Sequence, residues 1–365
     1  MNRDELALQI QSGELISKAD LSGVDLSSAD LSGAILENVS FAGANLAGAR
    51  LKESILNHCD LTGADLTGAD LHLAALLDCT LAGAKLTGAA LVGTKVVNGD
   101  LASADLGRAN LTLARFVTVN LTGARLVGAT LDRAAILDSQ TAGLDLSAAS
   151  LHKTTLFRAD LTSAVFAGAT VELAVLQETK LAGCDLRGLY LARTQLTNAD
   201  LRGCDLSEAT LSQCNFKGAD LTSAKLDRAT ADQTLFVQAN LTGASLTRAR
   251  LSQAIFSDAQ AGGADFSGAD LRKAIFSRAS CVGARFVDAE LTYADLGHAD
   301  VSGADLSGAT LFRTRLHRIK DDGATWSLGR IAALGDDEEL REAEEWQARV
   351  LRDHGPTGPR EEENA

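Results

Sequence analysis

From Ile16 to Leu316, every position whose number ends in 1 or 6 holds Leu, Phe, Ile or Val, except Thr141, Ala231, Ala261 and Cys281. This lock persists through sixty-one five-residue units without insertion or deletion. Two positions before each large residue stands a small one, mostly Ala, otherwise residues such as Ser, Thr, Cys or Val. The other three positions are largely polar, as in ADLTG (64–68) and ANLTG (239–243). A helix spaces its apolar residues by about 3.6 and a strand by 2, so a period of 5 fits neither. The small and the large residue, two apart, point the same way from a short extended piece. The chain must then turn within the remaining residues, where Gly, Ser and Asn collect.

A longer period overlies the first. Gly closes the unit at 23, 43, 63, 83, 123, 143, 183, 203, 243, 263, 283 and 303, all in one twenty-residue phase. Ten residues later in the cycle, only Gly33 and Gly93 occupy the equivalent place. Phe repeats at 216, 236, 256 and 276. Five-fold spacing alone would not separate these phases, whereas a coil of four units would. About fifteen such coils at ~4.8 Å make a rod of roughly 70 Å.

These A(D/N)LXX units resemble the pentapeptide-repeat family over residues 16–320. The resemblance implies an all-β solenoid, a right-handed quadrilateral β-helix with four pentapeptides to each square coil. The large residue and the small one before it would fill the lumen. Such a rod needs caps, because a bare terminal coil exposes its core and unpaired strand edges. Residues 1–15 are expected to supply one as a short helix, with Leu6 and Ile10 on one side before Gly13. Residues 321–335 read as a fading coil in which Trp326 keeps the lumen phase.

Residues 336–355 read as an amphipathic acidic helix. Acids crowd its first turn and Arg349, Arg352 and His354 its last, matching the helix dipole. Gly355 and Pro356 end it. Leu340, Ala343, Gln347, Val350 and Leu351 form one face with Trp346 beside them, a face that either closes the rod or pairs two copies into a homodimer. Residues 356–365 are expected to be a disordered tail.

Composition supports one continuous body. A chain of 365 residues would ordinarily suggest two or three domains. Its two prolines, Pro356 and Pro359, both lie in the last ten residues, so no Pro-marked linker divides it. The stretch MNRDELALQIQSGE has no apolar run long enough for a signal peptide, and nowhere do eighteen apolar residues follow one another. A cytoplasmic protein with no membrane partner is the expectation.

Candidate chemistry dissolves into the repeat. Cys59, Cys79, Cys184, Cys204 and Cys214 hold the small inward position and Cys281 the large one, so they read as reduced packing residues. No histidine shares the lumen to complete a metal site. His58, His72, His152, His298 and His317 fall in outward phases and read as solvated surface. Aspartates before the central Leu, such as Asp20, Asp60, Asp65, Asp70 and Asp200, suit corner hydrogen bonds to nearby backbone. No P-loop, nucleophile elbow or zinc signature interrupts the pattern. Neither a catalytic constellation nor a cofactor is expected.

Charge and outward apolar residues are the functional leads. The net charge is −14, but residues 19–100 hold ten acids against four bases and residues 336–365 eleven against four. Residues 101–200 hold nine of each, and residues 201–335 fifteen of each. Most of the rod is therefore balanced, unlike the regular phosphate charge of DNA. Direct nucleic-acid binding is not expected, since no basic stripe with aromatics appears. One outward column carries Leu77, Val97, Val117, Leu137 and Phe157 on five successive coils. The same wall later carries Leu235, Ile255 and Ile275, and contiguous apolar patches of this kind mark contact sites.

The residues thus point to a non-catalytic scaffold that offers a rigid rod to a protein partner. The resemblance implies two narrower roles, binding a type II topoisomerase as a DNA mimic or serving a bacterial secretion system as an accessory protein. Inside the rod, Cys281 stands between Phe276 and Phe286, as Ala261 stands between Phe256 and Phe266. A lumen of fixed section would need a small residue where its neighbouring walls carry the largest ones.

Overall fold

The structure is a computed structural model that describes residues 3–354, with side chains described throughout that span except at positions 4, 7 and 347–354. The repeat winds into a right-handed quadrilateral β-solenoid of about sixteen turns. Bridges join residue i to residue i+20 on all four walls, as in Leu15↔Ile35, Asp20↔Ser40, Asp25↔Asn45 and Asp30↔Arg50. Twenty residues per turn and four bridged columns make the section square. The core is the lumen itself, filled by the large residue and the small one from each wall, with Leu21, Leu26, Leu31 and Leu36 all fully buried.

Each wall ends at a corner held in the left-handed region. Positive φ recurs at positions ending in 3 or 8 whether or not the residue is Gly, as at Gly43 (φ 62), Lys273 (φ 59) and Leu113 (φ 61). Gly is the least strained choice there. The repeat still places polar and even apolar side chains at this corner, because the ladders on both sides fix its geometry.

One wall differs along the rod. Eight three-residue strands, β1 (Leu15–Ser17), β2 (Ile35–Glu37), β3 (Ile55–Asn57), β4 (Ala75–Leu77), β5 (Lys95–Val97), β6 (Arg115–Val117), β7 (Ala135–Leu137) and β8 (Thr155–Phe157), form a parallel sheet in chain order. Beyond β8 the same wall pairs through single bridges, such as Val175↔Gln195. Along the rest of the rod the N–H three residues after the central one commonly folds back on the central carbonyl, as from Ala219 to Phe216 at 2.9 Å. Among the described residues no such bond closes β1–β8, where this place is held by Ala19, Val39, Cys59, Cys79, Gly99, Val119, Ser139 and Ala159. There the cysteines offer S–H to the coil below, Cys59 to the Leu36 carbonyl and Cys79 to that of Leu56.

The lumen shows the compensation expected from the sequence. Phe216, Phe236, Phe256 and Phe276 stack at 5.2, 4.9 and 4.5 Å, and Phe266 stacks on Phe286 at 5.0 Å. Across the lumen Phe256 meets Phe266 edge to face at 5.7 Å, and Phe276 meets Phe286 at 5.8 Å. Ala261 and Cys281 line the walls between these pairs, and both are fully buried. Buried Thr residues stay satisfied by donating to a main-chain carbonyl, one coil away for Thr234 to Leu211 at 2.7 Å and within the same unit for Thr179 to Leu176 at 2.8 Å.

Irregularity concentrates near Thr141 and Val165. Leu144 and Leu189 fill slots made for Ala, and Phe166 widens the same wall. Among the described residues the ladder lacks the Gln140–Asp160 and Val165–Asp185 bridges. The Thr141 hydroxyl replaces one lost contact by donating to the Asp160 carbonyl at 2.9 Å.

At one end α1 (Arg3–Gln11) buries Leu6 completely against the first coil, with Ile10 packed beside it. At the other, β9 (Asp305–Leu306) pairs with β10 (Thr325–Trp326). Trp326 is half-buried, with the Arg330 guanidinium 4.2 Å above its ring. A 3-10 turn, Leu328–Ala332, then leaves Leu328 and Ile331 more than nine-tenths exposed.

The last helix, α2 (Glu338–His354), departs from the face expected of it. Leu340 is half-buried, but Ala343 and Trp346 point to solvent. The rod is met instead by Glu344, which reaches His298, His317 and Arg318 on the flank of the last coils. A carboxylate facing two imidazoles and a guanidinium sets the helix rotation more strongly than an apolar edge facing a polar wall. Val350 and Leu351 lie outside the described side chains, and the 356–365 tail lies outside the described residues.

Cys281→Leu is expected to lower stability by about 1–3 kcal/mol through overpacking between the two Phe columns. Cys281→Ala should change it little. Chemical denaturation of the three proteins measures the difference, and equal stability of the Leu and Ala variants would refute a fixed lumen section.

Candidate protein-contact face

The flat sheet β1–β8 presents two outward columns, one before and one after each buried central residue. Leu77, Val97, Val117, Leu137 and Phe157 occupy the second column in strict register from β4 to β8. All five are half-buried by their neighbours rather than fully exposed. Phe157 is further covered by Arg158, whose guanidinium lies 4.6 Å over the ring.

The first column adds residues that the sequence reading passed over. Leu15, Ile35 and Ile55 pair in register from β1 to β3, and they are 54%, 44% and 43% exposed. Their spacing of twenty was visible. The sequence shows the position before the central residue as apolar at Leu235, Ile255 and Ile275, and the same position on the first three coils was passed over. The two columns meet at β4, where Ala75 and Leu77 share a strand. Together they form one apolar seam crossing the sheet from β1 to β8. Leu235, Ile255 and Ile275 lie in register on the narrow part of the same wall, also half-buried. They are separated from the seam by the polar coils that carry Gln195 and Asn215.

Polar side chains on the rod mostly satisfy one another. Asp and Asn before the central residue accept the backbone N–H two positions on, as Asp20 does from Ser22 at 3.0 Å and Asn240 from Thr242 at 3.1 Å. Ion pairs climb between coils, Arg50 to Asp30 at 2.7 Å and Arg278 to Asp258 at 2.7 Å. Others close within one unit, Arg202 on Asp200 and Arg272 on Asp270, both at 2.6 Å. Exposed pairs add little stability each, so this arrangement chiefly cancels field.

The cysteines behave as packing. All six are unbridged and buried. Burial pushes the Cys281 thiol up to about 12, with the nearby Asp300 charge adding to it. Burial likewise lifts Cys204 and Cys214 to about 12. A thiol held that far from ionisation is a poor nucleophile and metal ligand.

One histidine corrects the sequence reading. His317 is 1% exposed, because α2 and the turn before it lie over its corner. Its outward phase in the repeat was real, but a distant element covers it. His58 and His298 remain exposed.

Where the ladder opens below Val165 lies a cleft of about 800 Å³ bordered by Asp185, Arg187, Glu208, Lys225 and Arg228. Its charges are of both signs, and the Arg187–Asp185 and Arg228–Glu208 pairs engage one another. No helix among the described residues is long and apolar enough to cross a membrane.

Fold and core define a parallel β-solenoid with a packed lumen. The chain belongs to the pentapeptide-repeat family. The family model for pentapeptide repeats (8 copies) matches residues 19–57, 59–96, 100–134, 174–213 and 289–320, and the pentapeptide repeat region model matches 209–286. Among solved structures, HetL is similar, a pentapeptide repeat protein involved in heterocyst differentiation regulation from the cyanobacterium Nostoc sp. strain PCC 7120. It is 27% identical over 72% of this chain and 96% of its own, with a TM-score of 0.27. A pentapeptide repeat protein of the Arabidopsis thaliana thylakoid lumen is 27% identical over 39% of this chain and 69% of its own, with a TM-score of 0.19. QnrB1, a plasmid-mediated fluoroquinolone resistance protein, is 18% identical over 49% of this chain and 97% of its own, with a TM-score of 0.20. Among curated proteins no sequence matches.

The corner carboxylates set an acid limit on the rod. Hydrogen bonds from Ser32 and Arg50 hold Asp30 at about 2 against an ordinary 3.8. A hydroxyl two residues on lowers Asp20, Asp65, Asp160 and Asp305 in the same direction, and a guanidinium lowers Asp200 and Asp270. Folded values below the unfolded ones mean stability that is complete above about pH 4 and lost as pH falls towards 2. Melting temperature measured from pH 5 to pH 2 is expected to fall steeply below pH 4, and a flat profile would contradict the corner role.

Proposed function

We propose that this protein is a non-catalytic cytoplasmic scaffold that binds a protein partner along the β1–β8 wall. The observation that carries the reading is a pair of in-register columns, Leu15, Ile35 and Ile55 before the central residue and Leu77, Val97, Val117, Leu137 and Phe157 after it, which change over at β4. They lie on the wall where the strands are longest, and a stiff rod can present such a strip without ordering cost. Lumen packing accounts for the six buried cysteines and corner hydrogen bonds for the recurrent aspartates, so in this reading neither set serves catalysis. Leu328, Ile331 and Trp346, exposed at the carboxy-terminal end, support self-association there as a second contact.

A narrower reading has one observation of its own. The first four coils keep Asp20, Asp25 and Asp60 exposed, and this stretch holds most of the rod's net negative charge. A type II topoisomerase that takes DNA in a basic channel would recognise such a surface as a mimic. That reading requires the amino-terminal coils alone, whereas the scaffold reading requires the seam.

Val117→Glu with Leu137→Glu is expected to abolish partner capture while leaving the melting temperature near that of the unaltered protein. A double variant that keeps both its mass in light scattering and all its partners would reduce the seam to ordinary surface. For the narrower reading, inhibition of gyrase supercoiling should weaken when Asp20, Asp25 and Asp60 become Asn, and no inhibition by the unaltered protein at micromolar concentration removes it.

A further inference from the structure

The carboxy-terminal helix crosses the flank of the rod at a group of side chains that the repeat does not explain. His298 and His317 stand on adjacent coils with perpendicular rings 5.3 Å apart. Glu344 of α2 points between them, with Oε1 3.1 Å from His298 Nε2 and Oε2 3.5 Å from His317 Nε2. One ligand atom from each residue lies within 4.8 Å of the other two. His317 is 1% exposed, and its Nε2 is buried without a hydrogen-bond partner. An orphaned ring nitrogen aimed at a carboxylate and a second imidazole calls for an explanation.

We propose that His298, His317 and Glu344 bind a divalent transition-metal cation of the zinc class, which fastens α2 to the last coils. Two imidazoles and one carboxylate are the donor set of open zinc sites, which leave a fourth position to water or a ligand. Ligands about 2.0–2.1 Å from a tetrahedral ion stand roughly 3.3 Å apart, so atoms now within 4.8 Å of one another draw together by up to about 1.5 Å on binding. Both imidazoles bind in their neutral form, and Glu344 as carboxylate.

The surroundings fit this assignment. His317 Nδ1 now accepts the Asp337 backbone N–H at 3.2 Å, which puts the ring hydrogen on Nε2. Ligation through Nε2 moves that hydrogen to Nδ1, so the Asp337 N–H bond is given up and Nδ1 donates instead to Asp336 Oδ1, 3.6 Å away. A carboxylate behind a ligating histidine orients the ring and raises its basicity. Arg318 donates to Glu344 Oε2 at 3.1 Å, which steadies the carboxylate while Oε1 faces the ion. The ligands come from two coils and one helix, so binding would couple the helix to the rod in a way that neither element achieves alone.

The test is titration of the full chain with zinc chloride by calorimetry, together with melting temperature and hydrogen exchange of α2. One ion per chain, a raised melting temperature and slower exchange in α2 are expected. Cobalt in place of zinc should give the visible bands of a four-coordinate ion. His298→Ala, an exposed position that should leave the fold intact, and Glu344→Gln should each weaken affinity by about tenfold or more. His317→Ala should do the same, and a circular dichroism spectrum matching the unaltered protein guards against simple unfolding. If zinc in excess changes neither heat nor melting, the cluster is an ion-pair latch alone and the proposal fails. It fails equally if His298→Ala and Glu344→Gln bind zinc as tightly as the unaltered protein, because the ion then sits elsewhere.

Discussion

The coil-to-coil ladder sets the terms for everything else in this molecule. The bridges on all four walls join residues twenty apart, so the number of residues per turn cannot drift without breaking them. Twenty residues per turn then fix a square lumen of constant section. Inside such a section a large side chain on one wall removes room from the next. The edge-to-face pairs of Phe256 with Phe266 and of Phe276 with Phe286 therefore require Ala261 and Cys281 between them. The same rule explains the one irregular region, where Leu144, Phe166 and Leu189 exceed their slots and the neighbouring bridges are lost.

A constant section also separates stability from recognition. The core draws on the central residue and the small one before it, while the outward positions are free to vary. On most of the rod they are spent on Asx hydrogen bonds and on ion pairs one coil apart, which leave a nearly neutral surface. The β1–β8 wall is the exception, where three-residue strands carry apolar side chains outward in two in-register columns.

What could be read from the sequence follows the same division. The repeat, its phase of twenty, the burial of every cysteine and the role of Cys281 all depend on contacts at fixed spacing, and periodicity reports such contacts directly. Leu15, Ile35 and Ile55 obey that spacing too, in the same column before the central residue as Leu235, Ile255 and Ile275, and were as legible as those. His317 is of another kind. Its position in the repeat correctly marks it as outward, and only the return of α2 over the flank buries it. The orientation of α2 was likewise hidden, since Ala343 and Trp346 look like its packing face until the charged corner at His298, His317 and Arg318 is placed beside Glu344.

The carboxy-terminal end consequently differs in logic from the rod it closes. At the amino-terminal end α1 seals the first coil with a fully buried Leu6, an ordinary apolar cap. At the other end Leu328 and Ile331 stay in solvent, and the helix is fastened by imidazole, guanidinium and carboxylate groups. The helix meets the rod from its flank, so the lumen of the last coils is packed by their own residues while α2 is held by polar contacts outside it. One rod is thus closed by two different kinds of interaction, apolar burial at α1 and polar pairing at α2.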